Sequence, residues 1–358
     1  MTSKRRLLAA IKGEPVDRVP WAPFLVYYWE SLSEEARRIG QFRYMKDNGF
    51  DPLMRGFHYL YKIERNACDI REENSGRLKR TEYRTRVGTI SLEQVFSPEG
   101  NTLFVTKHPV ESAEDFKVLT FINEHTELTP DFDAFESDSI AAGEDGLYLP
   151  LIGSEGKTCF QALVEHWVGT EGIAYALCDY PEVVEECLNA MQKNSFASAK
   201  ICMESSAEAF IFWEDSSTTN ISPTMFDKYT ASEIRYWADI LHSDDRYLVH
   251  HACGHIKDLL IRMIKTGIDM IDSLSEPPTG NITVAEAIRA LPKEIGIIGG
   301  IEPTKFLNMT LEELEIYVKE LLQVTKGRRF ILGNSDSCPP GLTNEKFHLV
   351  SEIVKSRI

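Results

Sequence analysis

The chain has 358 residues, of which 43% are hydrophobic and 26% charged, and this composition excludes disorder as its main state. Its 39 basic and 55 acidic residues give a net charge of −16, which argues against nucleic acid as a ligand because that binding depends on Lys and Arg. No segment approaches the length of a membrane span, and the apolar run after the basic opening Met1–Arg6 is too short for a signal sequence.

The first predicted elements are a helix over residues 3–12, a strand over Val19–Tyr27 and a helix around residues 32–48. A further strand is predicted near Met54–Tyr59. This order of short apolar runs and amphipathic stretches is typical of βα units.

Residues 60–125 break that rhythm. Thr85–Val95 and Thr102–Lys107 alternate polar and apolar residues on either side of Pro98-Glu99-Gly100, which predicts antiparallel hairpins inserted into the fold. The acidic stretch Glu124–Asp138 is interpreted as a solvated connecting loop.

From residue 147 the chain alternates apolar runs with helical patterns. The predicted strands are Leu147–Ile152, Ala209–Trp213, Tyr247–Ala252, Met270–Leu274, Ile295–Ile298 and Phe330–Leu332. The predicted helices lie around 179–204, 224–242, 255–266, 283–291, 310–326 and 343–356. We therefore predict a (β/α)8 TIM barrel, one domain over residues 1–358 with an antiparallel β insertion at about 60–125. An open doubly wound sheet is the alternative, but no GxGxxG follows the first strand.

A His-x-Cys pair, His251 and Cys253, closes the apolar run that begins at Tyr247. Strand side chains alternate between faces, so both point the same way and can share one metal ion. Cys338 lies beyond a second apolar run, and Glu276 follows a third. Three protein ligands and one exchangeable position, here given to Glu276, are typical of catalytic zinc. The alternative is that these are ordinary buried thiols, a core histidine and a surface glutamate.

Other chemically capable residues follow predicted strands, where a parallel barrel places its chemistry. Glu214 and His255 are candidate catalytic groups, His255 as a group next to the metal ligands, whereas alternation turns His250 away from them. Trp213 and Asn334 are candidate substrate-binding residues. The seven cysteines suggest no disulfide framework, which predicts a reducing, cytoplasmic location.

The order of these segments resembles the uroporphyrinogen decarboxylase superfamily, and within it the corrinoid-linked zinc methyltransferases. The resemblance rests on five segments spread over nearly the whole chain. They are Gly13-Glu14-Pro15-Val16-Asp17-Arg18-Val19-Pro20, His251-x-Cys253-Gly254, Gly267-Ile268-Asp269 to Ser275-Glu276, Gly299-Gly300, and Gly333-Asn334 to Cys338.

In those methyltransferases the matching His, Cys and late Cys hold zinc, and the glutamate matching Glu276 fills the remaining position when substrate is absent. The resemblance therefore implies zinc as cofactor and a corrinoid (methylcobalamin) presented by a partner protein. The decarboxylase carries arginines at the end of its first strand, whereas residues 21–30 here contain none. Three aromatic residues of this stretch, Tyr27, Tyr28 and Trp29, are instead candidate substrate-binding residues, with core packing as the alternative.

These observations predict methyl transfer between a small molecule and the cobalt of a corrinoid protein. Two thiolates and one imidazole favour a thiol acceptor, whereas an aromatic mouth favours a methoxylated donor, and the direction stays open. The alternatives are a decarboxylase and a non-catalytic zinc-binding protein. An acidic barrel of this size is also compatible with a homodimer.

Overall fold

The computed structural model describes residues 1–98 and 102–356. It divides into two compact units, and the first comprises residues 1–59, 132–151 and 205–356. The second comprises residues 60–131 and 152–204, apart from 99–101. The predicted insertion therefore belongs to a unit that also includes residues 152–204, which the sequence pattern did not indicate.

The strands alternate with helices along most of the first unit. In chain order the strands of the protein are β1 (Leu53–Arg55), β2 (Tyr61–Arg65), β3 (Asp69–Ser75), β4 (Leu78–Thr85), β5 (Gly88–Ser97), β6 (Thr102–Lys107), β7 (Thr126–Pro130), β8 (Leu147–Leu149), β9 (Ala209–Glu214), β10 (Tyr247–Ala252), β11 (Met270–Leu274), β12 (Gly296–Ile301) and β13 (Phe330–Asn334). Strands β9 to β13 form one parallel sheet in chain order, and β1 pairs with β8.

Backbone contacts join these pieces into a closed ring. Leu151 bridges Ile211 in parallel, which connects β8 with β9. Trp21 bridges Leu332 in parallel, and the Asp51 amide donates to the Trp21 carbonyl at 2.7 Å. The ring therefore runs from the Trp21 segment through β1, β8, β9, β10, β11 and β12 to β13 and back. This is the predicted eight-stranded parallel barrel.

The barrel interior is filled by apolar side chains from successive strands, as close packing of such a core requires. The cluster of buried residues includes Leu53, Leu149, Ile211, Val249, Met270, Ile298 and Ile331. Since strand residues alternate, neighbours such as Phe212 and His250 point outward, toward the helices.

The helices are, in chain order, α1 (Ser3–Lys12), α2 (Val26–Ser31), α3 (Glu34–Arg37), α4 (Gln41–Asp47), α5 (Ala113–Glu124), α6 (Asp133–Ala142), α7 (Cys159–Ala162), α8 (Thr170–Asp179), α9 (Pro181–Glu204), α10 (Pro223–Met225), α11 (Ala231–His242), α12 (Leu260–Ile264), α13 (Val284–Ala290), α14 (Pro303–Asn308), α15 (Leu311–Val324) and α16 (Asn344–Lys355). Two π-helical turns are Leu163–Trp167 and Phe226–Thr230. Capping boxes begin α13 at Thr283 and α15 at Thr310. Within the described ranges, no helix combines the length and apolarity needed to cross a bilayer.

The second unit combines antiparallel strands with helices. Strands β3 to β6 form an antiparallel sheet in chain order, and β2 pairs with β7. Helices α5 and α9 lie together, with the Asn194 side chain donating to the Asn123 carbonyl at 2.9 Å. The antiparallel insertion predicted from alternation is confirmed, although Glu99 and Gly100 of the predicted turn lie outside the described residues.

Two early predictions were wrong in detail. The predicted strand Val19–Tyr27 is reduced to the single bridge at Trp21, and α2 begins at Val26. Pro20 and Pro23 lack amide hydrogens, so this segment cannot sustain a ladder of strand hydrogen bonds. The predicted helix around 32–48 is broken into α3 and α4, because Gly40 adopts a φ of 79° between them.

The acidic stretch Glu124–Asp138 is not a loop. Thr126–Pro130 is strand β7, in register with β2, and Asp133 begins α6. Alternation explains the strand: Ile63 and Leu128 lie opposite one another and are half-buried, whereas Glu127 is exposed.

Candidate functional site

His251 and Asp272 form a buried pair at the barrel interior. The parallel register of β10 and β11 places the two residues opposite one another. The Nδ1 atom of His251 lies 2.7 Å from the Oδ2 atom of Asp272, and both side chains are buried. An imidazole that donates its Nδ1 hydrogen to a carboxylate has its tautomer and orientation fixed, which leaves Nε2 open to a further ligand.

Arg55 reaches the same carboxylate from the opposite side of the ring, since β1 and β11 are four strands apart. Its Nη1 atom lies 2.7 Å from the Oδ1 atom of Asp272, and Nη2 donates to the Ala22 carbonyl at 2.8 Å. Burial alone would raise the pKa of Asp272, but the charge of Arg55 and the hydrogen bond with His251 together hold that pKa below its ordinary value. Asp272 is therefore an ionised group shared by a cation and an imidazole.

Two aromatic side chains enclose this pair. The Trp213 ring stacks on His251 at 5.4 Å between centroids, and the Phe24 ring meets His251 edge-on at 5.9 Å. The Arg55 guanidinium also lies 4.6 Å from the centroid of the Phe24 ring. These contacts exclude water from the ion pair and strengthen it by lowering the local dielectric.

The two cysteines have different surroundings. The Sγ atom of Cys253 is partly exposed and lies 3.6 Å from the Glu214 carbonyl oxygen. Cys338 is fully buried, and its amide donates to the Phe24 carbonyl at 2.7 Å. Burial raises the pKa of the Cys338 thiol well above its ordinary value, against the opposing effects of Arg55 and a hydrogen bond with Asn334. Arg55 therefore influences Asp272 directly and Cys338 through its charge.

The donor chemistry suits zinc, because it offers one oriented imidazole nitrogen and two sulfurs at the carboxyl ends of barrel strands. The side chains are not drawn together as a finished cluster: across residues 1–98 and 102–356, no group of three or more His, Cys, Asp or Glu converges on a metal position. The structure thus orients His251 through Asp272, and a metal site formed by His251, Cys253 and Cys338 stays a prediction.

Glu276, the predicted exchangeable ligand, is held by neighbouring residues. Its carboxylate accepts a hydrogen bond from the Tyr317 hydroxyl and forms an ion pair with Lys305 at 3.0 Å. The same hydroxyl lies 2.9 Å from the Gly300 carbonyl. Burial and the Glu276 carboxylate raise the pKa of Tyr317, so the phenol remains a proton donor. For Glu276 to reach a metal ion, it would have to leave these two partners.

Glu214 and His255, the other predicted catalytic residues, are placed differently. Glu214 lies 3.2 Å from His250 Nε2, and both contact the Ser216 hydroxyl at 3.0 Å. Because His250 stacks on the outward-facing Phe212, at 4.2 Å, this cluster lies on the sheet face opposite His251. Alternation predicted that orientation of His250. His255 is positioned through its backbone, whose amide donates to the Ser217 hydroxyl at 3.1 Å.

The predicted substrate-binding residues divide into exposed and structural groups. Tyr27 is 51% exposed, whereas Tyr28 is buried with its hydroxyl 3.0 Å from that of Tyr44, and the Trp29 ring packs on Tyr44 at 5.5 Å. The Asn334 side chain accepts from the Phe24 amide at 3.0 Å and donates to its carbonyl at 3.1 Å. Tyr28, Trp29 and Asn334 therefore make contacts within the fold, and the role of all five residues in substrate binding stays a prediction.

Sequence reasoning missed Arg55 and Asp272 as site residues. Arg55 is the second residue of the predicted strand Met54–Tyr59 and the last residue of the observed strand β1. An arginine in a buried strand is itself a signal of a buried charge partner. Asp272 sits beside a bulge at which Ser273 adopts a φ of 74°, a backbone conformation that is uncommon outside glycine and often marks functional sites.

The fold places the chain among the (β/α)8 barrel proteins, and comparison with known proteins gives its family. The model of the uroporphyrinogen decarboxylase (URO-D) family matches residues 94–357. This is most of the chain, which therefore belongs to the uroporphyrinogen decarboxylase family, as its motifs predicted.

Particular relatives differ in activity. The methylcobamide:CoM methyltransferase MtbA of Methanosarcina acetivorans is 24% identical over 350 residues, which cover 91% of this chain and 90% of that protein. Uroporphyrinogen decarboxylases of Synechococcus strains CC9605 and CC9902 are 24% and 25% identical over 168 residues, so the chain spans less than half the length of these two, 45%. A solved methyltransferase from Methanosarcina mazei shares the fold, with a TM-score of 0.65 and 16% identity over 99% of this chain and 98% of its own.

Proposed function

We propose that the protein is a zinc-dependent methyltransferase that moves a methyl group between a small molecule and the cobalt of a corrinoid carried by a partner protein. The observation that carries the proposal is the orientation of His251 by Asp272 at the barrel mouth. The similarity to MtbA supports it, because that similarity extends over nearly the full length of both chains.

In this proposal His251, Cys253 and Cys338 hold the metal, and Glu276 occupies the fourth position until a substrate displaces it. Asp272 accepts the Nδ1 hydrogen of His251, which fixes the orientation of the ring and leaves Nε2 for the metal. Arg55 prevents Asp272 from taking a proton of its own. Zinc, when bound, would act as a Lewis acid toward the heteroatom of the substrate.

The aromatic side chains near His251 favour an uncharged substrate. The rings of Trp213 and Phe24 contact the imidazole. Tyr27, three residues after Phe24, is exposed, and its amide donates to the Ser337 hydroxyl at 2.8 Å. A thiol acceptor and a methylated or methoxylated donor both satisfy this environment. Assays in both directions are therefore needed to establish the direction of methyl transfer.

The test combines metal analysis with methyl transfer. The purified chain is assayed for zinc, and then incubated with methylcobalamin and a thiol, and in the reverse direction with reduced corrinoid protein and methoxyaromatics, methylamines or methanol. The cobalt absorption spectrum reports gain or loss of the methyl group. We expect about one zinc per chain and transfer in at least one direction.

Cys338→Ala is expected to lose both zinc and transfer, because it removes one of three protein ligands. Cys187→Ala is the matched control, since Cys187 is also fully buried but lies on α9. Absence of zinc from the wild-type protein would contradict the proposal. Zinc without methyl transfer would favour a binding protein, and carbon dioxide release from uroporphyrinogen would favour the decarboxylase.

A further inference from the structure

A second candidate site lies at the other end of the barrel. A cavity of about 1080 Å³ is lined by residues that precede three neighbouring strands of the ring, namely the Trp21 segment, β12 and β13. Residues 13–19 precede the Trp21 segment, Lys293 precedes β12, and Arg328 precedes β13. The cavity is therefore at the amino ends of the strands, whereas His251 and Cys338 are at the carboxyl ends.

The walls of this cavity are basic in a protein that is strongly acidic overall. Among the described residues, five lining cations have no carboxylate oxygen within 4.0 Å, and a sixth, Arg329, has one at 3.9 Å from Asp269. The five unpaired cations are Lys12, Lys293, Lys326, Arg328 and Lys355. The protein has 55 acidic residues against 39 basic ones, so cations that gather around one cavity without a carboxylate partner create a local positive potential.

The other charged residues of the wall do not cancel this potential. Asp17 is committed to Arg6 at 2.6 Å and to the N-terminal amine at 2.8 Å. Arg18 is committed to Asp51 at 2.7 Å. Of the lining carboxylates, Glu14 and Glu294 remain to oppose the unpaired cations.

The two arginines are held in place by backbone carbonyls, which are neutral groups and do not cancel the charge of the guanidinium. Arg328 donates to the Leu291 carbonyl at 2.9 Å and to the Pro292 carbonyl at 2.8 Å. Arg329 donates to the carbonyls of Ile11 and Glu294. The two arginines therefore contribute fixed positive charge to the wall of the cavity.

We propose that this cavity binds a small ligand carrying two adjacent phosphate groups. The excess of cations over the two opposing glutamates matches the charge of a diphosphate, and the volume accommodates a molecule of nucleotide size. Inorganic pyrophosphate and a nucleoside diphosphate share this chemistry. The inference is independent of the methyltransferase proposal, because it uses none of the residues at the barrel mouth.

The test is calorimetric titration of the full chain with pyrophosphate, ADP, adenosine and sulfate at equal ionic strength. Saturable binding of pyrophosphate and ADP, but not of adenosine or sulfate, is expected. ADP binding more tightly than pyrophosphate would identify a nucleotide site, and equal binding would identify a site for the diphosphate group alone.

The variant Lys293→Gln/Lys326→Gln removes two exposed, unpaired cations. We expect each loss to weaken diphosphate binding about fivefold, and about 25-fold together, from the Coulomb attraction between charges in contact in water. Lys257→Gln/Lys319→Gln is the matched control, because it makes the same change in net charge at lysines outside the cavity that are paired with Glu286 and Glu315.

Circular dichroism establishes that both double variants are folded. Absence of saturable binding to the wild-type chain would overturn the proposal. So would an equal loss of affinity in the control variant, since the effect would then follow the net charge of the protein and not the cavity.

Discussion

The buried pair of Arg55 and Asp272 gives the sharpest test of the site. The two side chains are 1% and 0% exposed, and the Nη1 atom of Arg55 lies 2.7 Å from the Oδ1 atom of Asp272. Asp272→Asn keeps the shape of the side chain but leaves the Arg55 charge buried without its counter-ion. Removing one partner of a buried ion pair costs about 3–5 kcal/mol, so this change is expected to destabilise the barrel unit by that amount.

The matched variants separate charge from packing. Arg55→Met alone is expected to be similarly costly, because it leaves the buried Asp272 carboxylate without its arginine counter-ion. The double variant Arg55→Met/Asp272→Asn removes both charges and is expected to be more stable than the sum of the single effects predicts, by about 2–3 kcal/mol. Asp47→Asn is the control, since its partner Arg43 is an exposed residue one helical turn away, and such pairs contribute little.

Urea unfolding followed by circular dichroism measures these differences, using the transition that unfolds the barrel unit. The zinc content of the same variants tests the orienting role of Asp272, because loss of the carboxylate behind a ligating histidine weakens metal binding about 10- to 100-fold. If Asp272→Asn is no less stable than Asp47→Asn, or if the single effects are additive, the charge-pair explanation is refuted.

Three further predictions address other parts of the chain. Gly333→Ala should destabilise the protein by about 1–3 kcal/mol in urea unfolding, because an added Cβ would lie 2.7 Å from the Ala22 carbonyl oxygen at the barrel seam. The hydrogen bond with Asp269 raises the pKa of His242, so the stability advantage of the wild type over His242→Gln should be complete below the ordinary pKa of 6.5 and disappear as the pH rises through the raised value; an advantage that grows with pH would contradict this. Burial raises the pKa of Cys187 to about 12, so this thiol should react with a disulfide reagent only after unfolding, as mass spectrometry of the labelled chain would show.

The barrel could be predicted because its signals are local. Strands β10 and β11 have the predicted bounds, since each is a short apolar run ended by turn residues. The alternation rule that paired His251 with Cys253 also placed His250 on the other face, where it contacts Glu214. The predicted first strand is too long, because an apolar stretch is typical of any buried segment and not only of a strand. Pro20 and Pro23 indicate that this segment is buried without forming a regular strand.

The contacts that give the site its character are not local and could not be predicted from spacing. Arg55 and Asp272 are 217 residues apart and come from opposite strands of the ring. Their meeting depends on the closure of the barrel, which follows from hydrogen bonds at Trp21 and Leu151 and not from any sequence motif. Similarly, nothing in its sequence position indicates that Glu276 is held by Tyr317.

The absence of arginine from residues 21–30 argues against a substrate with several carboxylates, but Arg55 places a buried cation beside Asp272. The contacts of Arg55 nevertheless leave it poorly placed to bind a substrate carboxylate. The two terminal nitrogens of Arg55 are occupied by Asp272 and the Ala22 carbonyl, and its guanidinium faces the Phe24 ring. A substrate carboxylate could reach this charge only by displacing Asp272, which would release His251 from the group that orients it. Recognition of a polyanion through Arg55 and orientation of His251 by Asp272 are thus competing uses of one carboxylate, and the structure shows Asp272 in contact with both Arg55 and His251.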